Sequence, residues 1–180
     1  LQAVRKDGLA LQYANESLLA DKDVVLEAVR KAGGTLRYAS DNLRADRDIV
    51  LEAVRESAVA LEFASNSWRA DTNFMVEAVR KPSLALQYAS DNLRGDKEVV
   101  LEAASNNGYA LVSASESLRA DKDFVLEAVN ASPLMLKYAS AELQADKDVV
   151  RHTVLRAGSM LSYADLSLRA DKDLVLLAVR

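Results

Sequence analysis

The chain has 180 residues, half of them hydrophobic, with 27 acids against 23 Lys and Arg, a formal net charge of -4 and a single His. Length and apolar content suffice for a sizeable core, and the mild acidity of closely interleaved charges provides no field for binding phosphates. The absence of Cys excludes disulfides, thiolate nucleophiles and zinc-thiolate sites, and it favours a reducing compartment such as the cytoplasm.

Asp recurs at positions 21, 46, 71, 96, 121, 146 and 171, a spacing of 25 with no insertion or deletion. Parallel columns of Leu (Leu11, Leu36, Leu61, Leu86, Leu111, Leu136, Leu161) and Ala (Ala14 through Ala164) share that period. A fixed period of this length is the signature of a repeat architecture, in which each unit buries its apolar face only against its neighbours. We expect a partial unit at 1–20, full units at 21–45, 46–70, 71–95, 96–120, 121–145 and 146–170, and a partial unit at 171–180. The chain begins in mid-motif at Leu1, which reads as a piece of a longer array.

Within the unit 21–45, Asp21 precedes Lys22-Asp23-Val24-Val25-Leu26-Glu27-Ala28-Val29-Arg30, whose apolar spacing predicts a helix sandwiched between neighbours. The Asp column is expected to cap these helices, with Asp23 favoured near the positive end of the helix dipole. Arg30 and Lys31, three and four residues after Glu27, have the spacing of ion pairs along one helix. Gly33, like Gly8, Gly108 and Gly158, is read as a helix-terminating residue. A second helix is expected over approximately Thr35 to Arg44, with Leu36, Ala39 and Leu43 on one stripe. Breaks are expected near Gly33, Ala58, Ser83, Gly108, Pro133 and Gly158, and again just before each Asp of the column. Pro82 and Pro133, the only prolines, fall between helices. The fold predicted is all-α, an α-solenoid of tandem 25-residue two-helix repeats.

Val-Leu-Glu-Ala-Val at Val25 to Val29, Leu-Arg-Tyr-Ala-Ser at Leu36 to Ser40 and Asn-Leu-Arg-Ala-Asp at Asn42 to Asp46 together resemble the tandem repeats known as domain of unknown function 4116. The resemblance covers essentially the whole chain. It implies a repeat architecture and carries no activity with it.

Few residues suggest chemistry. Asp21, Asp23 and Glu27 could be imagined as a divalent-metal site, but a calcium loop needs a Gly turn and ligands spread over twelve residues, whereas Val24 to Leu26 run straight into a helix. His152, alone in the chain, replaces a column of Glu and has no second His or Cys with which to build a metal site or triad. No catalytic residue, metal site or cofactor is expected. The aromatic column Tyr13, Tyr38, Phe63, Tyr88, Tyr138 and Tyr163 could stack bases, yet Asp41, Asp91 and Glu116 beside it oppose phosphates, so a structural ladder is expected instead. The Arg column Arg44, Arg69, Arg94, Arg119 and Arg169 is read as locally neutralised by neighbouring acids.

Variation concentrates on the second helix. One column reads Arg37, Glu62, Gln87, Val112, Lys137, Ser162, and another Asp41, Asn66, Asp91, Glu116, Ala141, Leu166. A constant scaffold with a variable stripe is how helical repeats present recognition surfaces. Val112, Ala141 and Leu166 are apolar where solvent is expected, and Leu177 takes the place of a Glu in the final helix. With Tyr138 and Tyr163 they form the expected docking surface. The function expected is a non-enzymatic scaffold that binds a protein partner or adjoining repeats; the alternatives are a reader of single-stranded nucleic acid and a purely structural spacer. Neither nucleic acid nor membrane is the expected partner, since no apolar run approaches spanning length.

Overall fold

A computed structural model describes residues 2–80 and 84–179. Its described residues contain helices and turns and no strand. The chain divides into two compact bodies, Leu1–Leu93 and Arg94–Arg180.

In the first body, the long helices Lys22–Lys31, Arg47–Glu56 and Thr72–Val79 pack in sequence, each on the next. Lys22–Lys31 also covers the 3-10 turns Gly8–Tyr13 and Gly33–Tyr38. Val24, Val25, Ala28 and Val29 are buried, as the apolar spacing requires, and Leu11, Leu36, Leu61 and Leu86 are fully enclosed behind them. The second body repeats the scheme. Lys122–Ala131 lies against both Lys97–Asn106 and Lys147–Val154, and the last of these touches Lys172–Ala178 and Gly158–Tyr163.

Every Asp of the column caps a long helix. Asp21 Oδ1 accepts from the Asp23 and Val24 amides at 3.0 Å, and Asp71, Asp96, Asp121, Asp146 and Asp171 accept from their own first turns as Asp46 does. The second carboxylate oxygen has a further use that cap logic does not reveal. Lys22 Nζ donates to Asp46 Oδ2 at 2.8 Å, Lys97 to Asp121 at 2.9 Å, Lys122 to Asp146 at 2.7 Å and Lys147 to Asp171 at 2.6 Å. One carboxylate thus caps its own helix and latches the preceding one. These lysine bonds are the main cause holding the Asp46, Asp146 and Asp171 carboxyls below the usual range, with the cap amides adding to them.

Three expectations are corrected. The first is the second helix, Thr35 to Arg44, which is not continuous. A 3-10 turn, Gly33–Tyr38, ends at Ala39, which is extended (φ -68, ψ 153), and a one-turn helix, Asp41–Arg44, follows. The reason is a backbone hydrogen bond that leaves the local chain: the Ser40 amide donates to Leu19 O at 2.9 Å. The same bond recurs from Ser65 to Arg44 O, Ser90 to Arg69 O, Ser115 to Arg94 O, Ser140 to Arg119 O and Asp165 to Gln144 O, at 2.7–2.9 Å. A continuous helix would have spent these amides internally. Leu36, Ala39 and Leu43 are nevertheless all buried, because the kink keeps each on the inner side.

The second correction concerns glycine. No described Gly has positive φ, so Gly33 does not end its helix through the left-handed conformation. It is needed for close approach: a Cβ there would stand 2.2 Å from Ala53 O, and at Gly158 2.0 Å from Ala178 O. The third is charge. Glu27 pairs with Arg5 at 3.2 Å, while Arg30 reaches Glu52 at 3.1 Å and Arg55 reaches Glu77 at 3.1 Å. These pairs tie neighbouring long helices together across 22 residues. Helix breaks do fall where expected near Gly33, Ala58, Gly108, Pro133 and Gly158; the break expected near Ser83 and the role of Pro82 lie outside the described residues.

Candidate functional site

The short helices, which follow the kink, frame a recurring groove. In the first body one groove is lined by Asp41, Arg44, Phe63, Ser65 and Asn66, and the next by Asn66, Arg69, Tyr88, Ser90 and Asp91, with volumes of 310 and 420 Å³. In the second body Glu116, Arg119, Ala120, Tyr138 and Ser140 line a groove of 330 Å³. Each takes an Arg from one short helix, the aromatic residue of the following turn, and the Ser that makes the cross-repeat backbone bond. The local fold dictates this: the Ser amide bonds the Arg carbonyl, so the Arg side chain is carried to the lip beside the next aromatic ring.

The Arg residues are not equivalent. Arg44 forms an ion pair with Asp41, and Arg69 donates to Asn66 Oδ1 at 2.6 Å. Arg119, like Arg44, has a buried Nε without a hydrogen-bond partner, but unlike Arg44 it has no described acid paired with it, although Glu116 lies one helical turn away. The expected local neutralisation therefore holds at Arg44 and is absent at Arg119. Gln144 stands where Arg44, Arg69, Arg94, Arg119 and Arg169 stand in other repeats, and its Nε2 donates to the carbonyls of Leu136, Lys137 and Ala139 at 3.1–3.2 Å, closing the preceding turn on itself.

Of the residues singled out in the sequence, Tyr138 belongs to this groove. Its ring also lies 5.2 Å from Lys137 Nζ, which stands 5.7 Å from the rings of Tyr109 and Tyr163. Three tyrosines thus surround one ammonium, an arrangement favoured by the negative faces of the rings. The first body has a smaller counterpart, with the Arg37 guanidinium 4.8 Å from Tyr38 and 5.9 Å from Phe63. The Tyr88 hydroxyl is pushed up by burial and by Glu62. Val112, one repeat before Lys137, is 59% exposed, and Leu166 is 73% exposed. Ala141 and Leu166 occupy the position from which Asp41, Asn66 and Glu116 line their grooves, and both are exposed.

Leu177 stands apart from this face. It is half-buried on the last helix, in the register position of Glu52 and Glu77, and the residue 22 before it is Leu155, where Arg30 and Arg55 stand in earlier repeats. His152 follows the same logic, because the residue 22 before it is Asn130, whose Oδ1 lies 3.3 Å from His152 Nε2. Burial, with Arg156 contributing, pushes the imidazole pKa down. The register that holds ion pairs at Arg30–Glu52 and Arg55–Glu77 thus holds an amide–imidazole pair at Asn130–His152 and two leucines at positions 155 and 177. Arg119, Lys137 and Tyr109 were not singled out from the sequence as site residues; Arg119 keeps the neighbouring acids Glu116 and Asp121 that its column has elsewhere, so the sequence carries no sign of its missing partner.

The family model described as Domain of unknown function (DUF4116) matches residues 1–44, 46–94 and 96–144. The chain belongs to the DUF4116 family. The second and third DUF4116 matches open on Asp46 and Asp96, the helix-capping residues, so each tandem match takes in two of the 25-residue sequence units. No curated protein and no solved structure matches the chain. Among the described residues, no group of three or more His, Asp or Glu converges as a metal site would require, and no helix is long and apolar enough to cross a membrane.

Proposed function

We propose that this DUF4116 chain is an α-solenoid scaffold whose short-helix face docks a protein partner. The observation that carries this reading is the contrast between two neighbouring columns. Leu36, Leu61, Leu86, Leu111 and Leu136 are identical and fully buried, while the residues immediately after them, Arg37, Glu62, Gln87, Val112 and Lys137, all differ and are exposed. Packing demands constancy of the inner column and leaves the outer one free to be set by what it meets. The solenoid arrangement is supported by nearest-neighbour packing of successive long helices within each body and by the recurring Ser-to-carbonyl bond.

Selection of a random linear peptide library on the immobilised chain tests the reading. Enriched peptides should lose binding to Val112→Asp and Leu166→Glu variants and retain it with Glu98→Gln, which alters a long helix. Absence of enrichment, or binding indifferent to Val112 and Leu166, contradicts a docking face and leaves the spacer role.

A further inference from the structure

The Arg119 groove differs from its counterparts in that its guanidinium meets no described side-chain acceptor, and that difference specifies a ligand. A guanidinium carries five N–H donors and no acceptor. At Arg44 and Arg69 a terminal N–H is taken by Asp41 and Asn66, whereas no described side chain accepts from Arg119; the Nε atoms of Arg44 and Arg119 are both buried without a partner. On the adjoining surface Lys137 makes no ion pair either and is held only by the tyrosine rings. Tyr138 is shared by both, lining the groove and lying under the Lys137 ammonium. Two unneutralised cations with an aromatic wall between them stand on the face of a chain whose net charge is negative.

The geometry points to a site for the acidic side chains of a linear partner segment, with one Glu or Asp carboxylate taken by Arg119 against Tyr138 and a second by Lys137. A planar carboxylate matches the guanidinium fork, and a bond from charged donor to charged acceptor is about twice as strong as a neutral one. Glu116 lines the same groove and decides between anions. A peptide can place one carboxylate past it, whereas a nucleic-acid strand brings a charge with every nucleotide and meets Glu116 as well. This assignment rests on the short-helix face being the docking face.

Anisotropy titration of the full chain with fluorescein-labelled hexaglutamate, hexaglutamine and hexauridylate tests it. Hexaglutamate should bind saturably and hexaglutamine should not. Arg119→Gln should weaken hexaglutamate binding at least tenfold, Lys137→Gln several-fold, and Glu116→Gln should strengthen it by removing a like charge. Arg156→Gln, outside the groove, should leave it unchanged. Equal binding of hexaglutamine, indifference to Arg119→Gln in a variant with unchanged helicity, weakened binding in Glu116→Gln, or tighter binding of hexauridylate overturns the assignment. Library peptides that dock on the short-helix face but lack acids overturn it while the scaffold reading stands; peptides that dock elsewhere remove both.

Discussion

Two adjacent glycines provide a matched test of how the repeats are packed. At Gly33 an added Cβ would lie 2.2 Å from Ala53 O, 3.0 Å from Ser57 N and 3.1 Å from Ala53 C, all backbone atoms of the next long helix and its cap. At Gly34 nothing lies within 4 Å. Ordinary contact begins near 3.4 Å, so Gly33→Ala needs a displacement of about 1 Å. No rotamer change can supply it, because the opposing atom is a carbonyl already accepting from the Ser57 amide at 2.9 Å. Overpacking of this kind costs typically 1–3 kcal/mol, and the loss of the Ser57 bond places the expected cost at about 3 kcal/mol. Gly34→Ala meets no obstacle and has no positive φ to lose, so restriction of the unfolded chain should stabilise it by ~0.4–1 kcal/mol. Urea unfolding followed by circular dichroism should therefore separate the two variants by roughly 3–4 kcal/mol, with Gly33→Ala the weaker. Equal stabilities would refute the close approach of the turn to the next helix.

Leu177→Glu should destabilise the chain, and adding Leu155→Arg should restore stability by recreating the ion-pair register of Arg30 and Glu52; additive effects in a double-mutant cycle would refute that register. Asp46, Asp146 and Asp171 have carboxyls lowered by their lysine bonds, so their stabilisation is fully present above the unfolded value of about 3.9 and is lost as pH falls through the lower folded values. Asp146→Asn, which keeps a capping oxygen, should flatten that acid limb of the urea midpoint against pH; an unchanged limb would show that the latch contributes nothing. Asp46→Ala should lower stability by ~1 kcal/mol with or without chelator, and a strong calcium dependence would replace the cap with a metal site.

Much of this fold is legible in the sequence because its causes are local. The Asp caps, the apolar face of Lys22–Lys31 and the breaks near Gly108 and Pro133 follow from residue chemistry within one unit. What is not legible depends on the neighbouring unit. Leu36, Ala39 and Leu43 have helical spacing whether the chain is straight or kinked, and only the Ser40 amide, drawn to Leu19 O, decides for the kink. The sign of it was present: Asn15, Ser40, Ser65, Ser90, Ser115, Ser140 and Asp165 are all residues that favour an N-cap, placed in mid-helix. Arg30 has an intrahelical partner by spacing and an interhelical one in fact, since packing brings Glu52 to it. The proposed docking face is marked in the sequence by its apolar exceptions, Val112, Ala141 and Leu166, but not by its unpaired cations, because whether Arg119 has a partner depends on side-chain placement.

The most direct test of the docking face is amide hydrogen exchange of the chain with and without a library-selected peptide. Protection is expected to increase at Val112, in Met135–Tyr138 and across Ala141–Gln144, with the outer positions of Lys122–Ala131 and Lys147–Val154 unchanged. Protection confined to the long helices, with the Arg119 and Tyr138 region unaltered, would contradict the account.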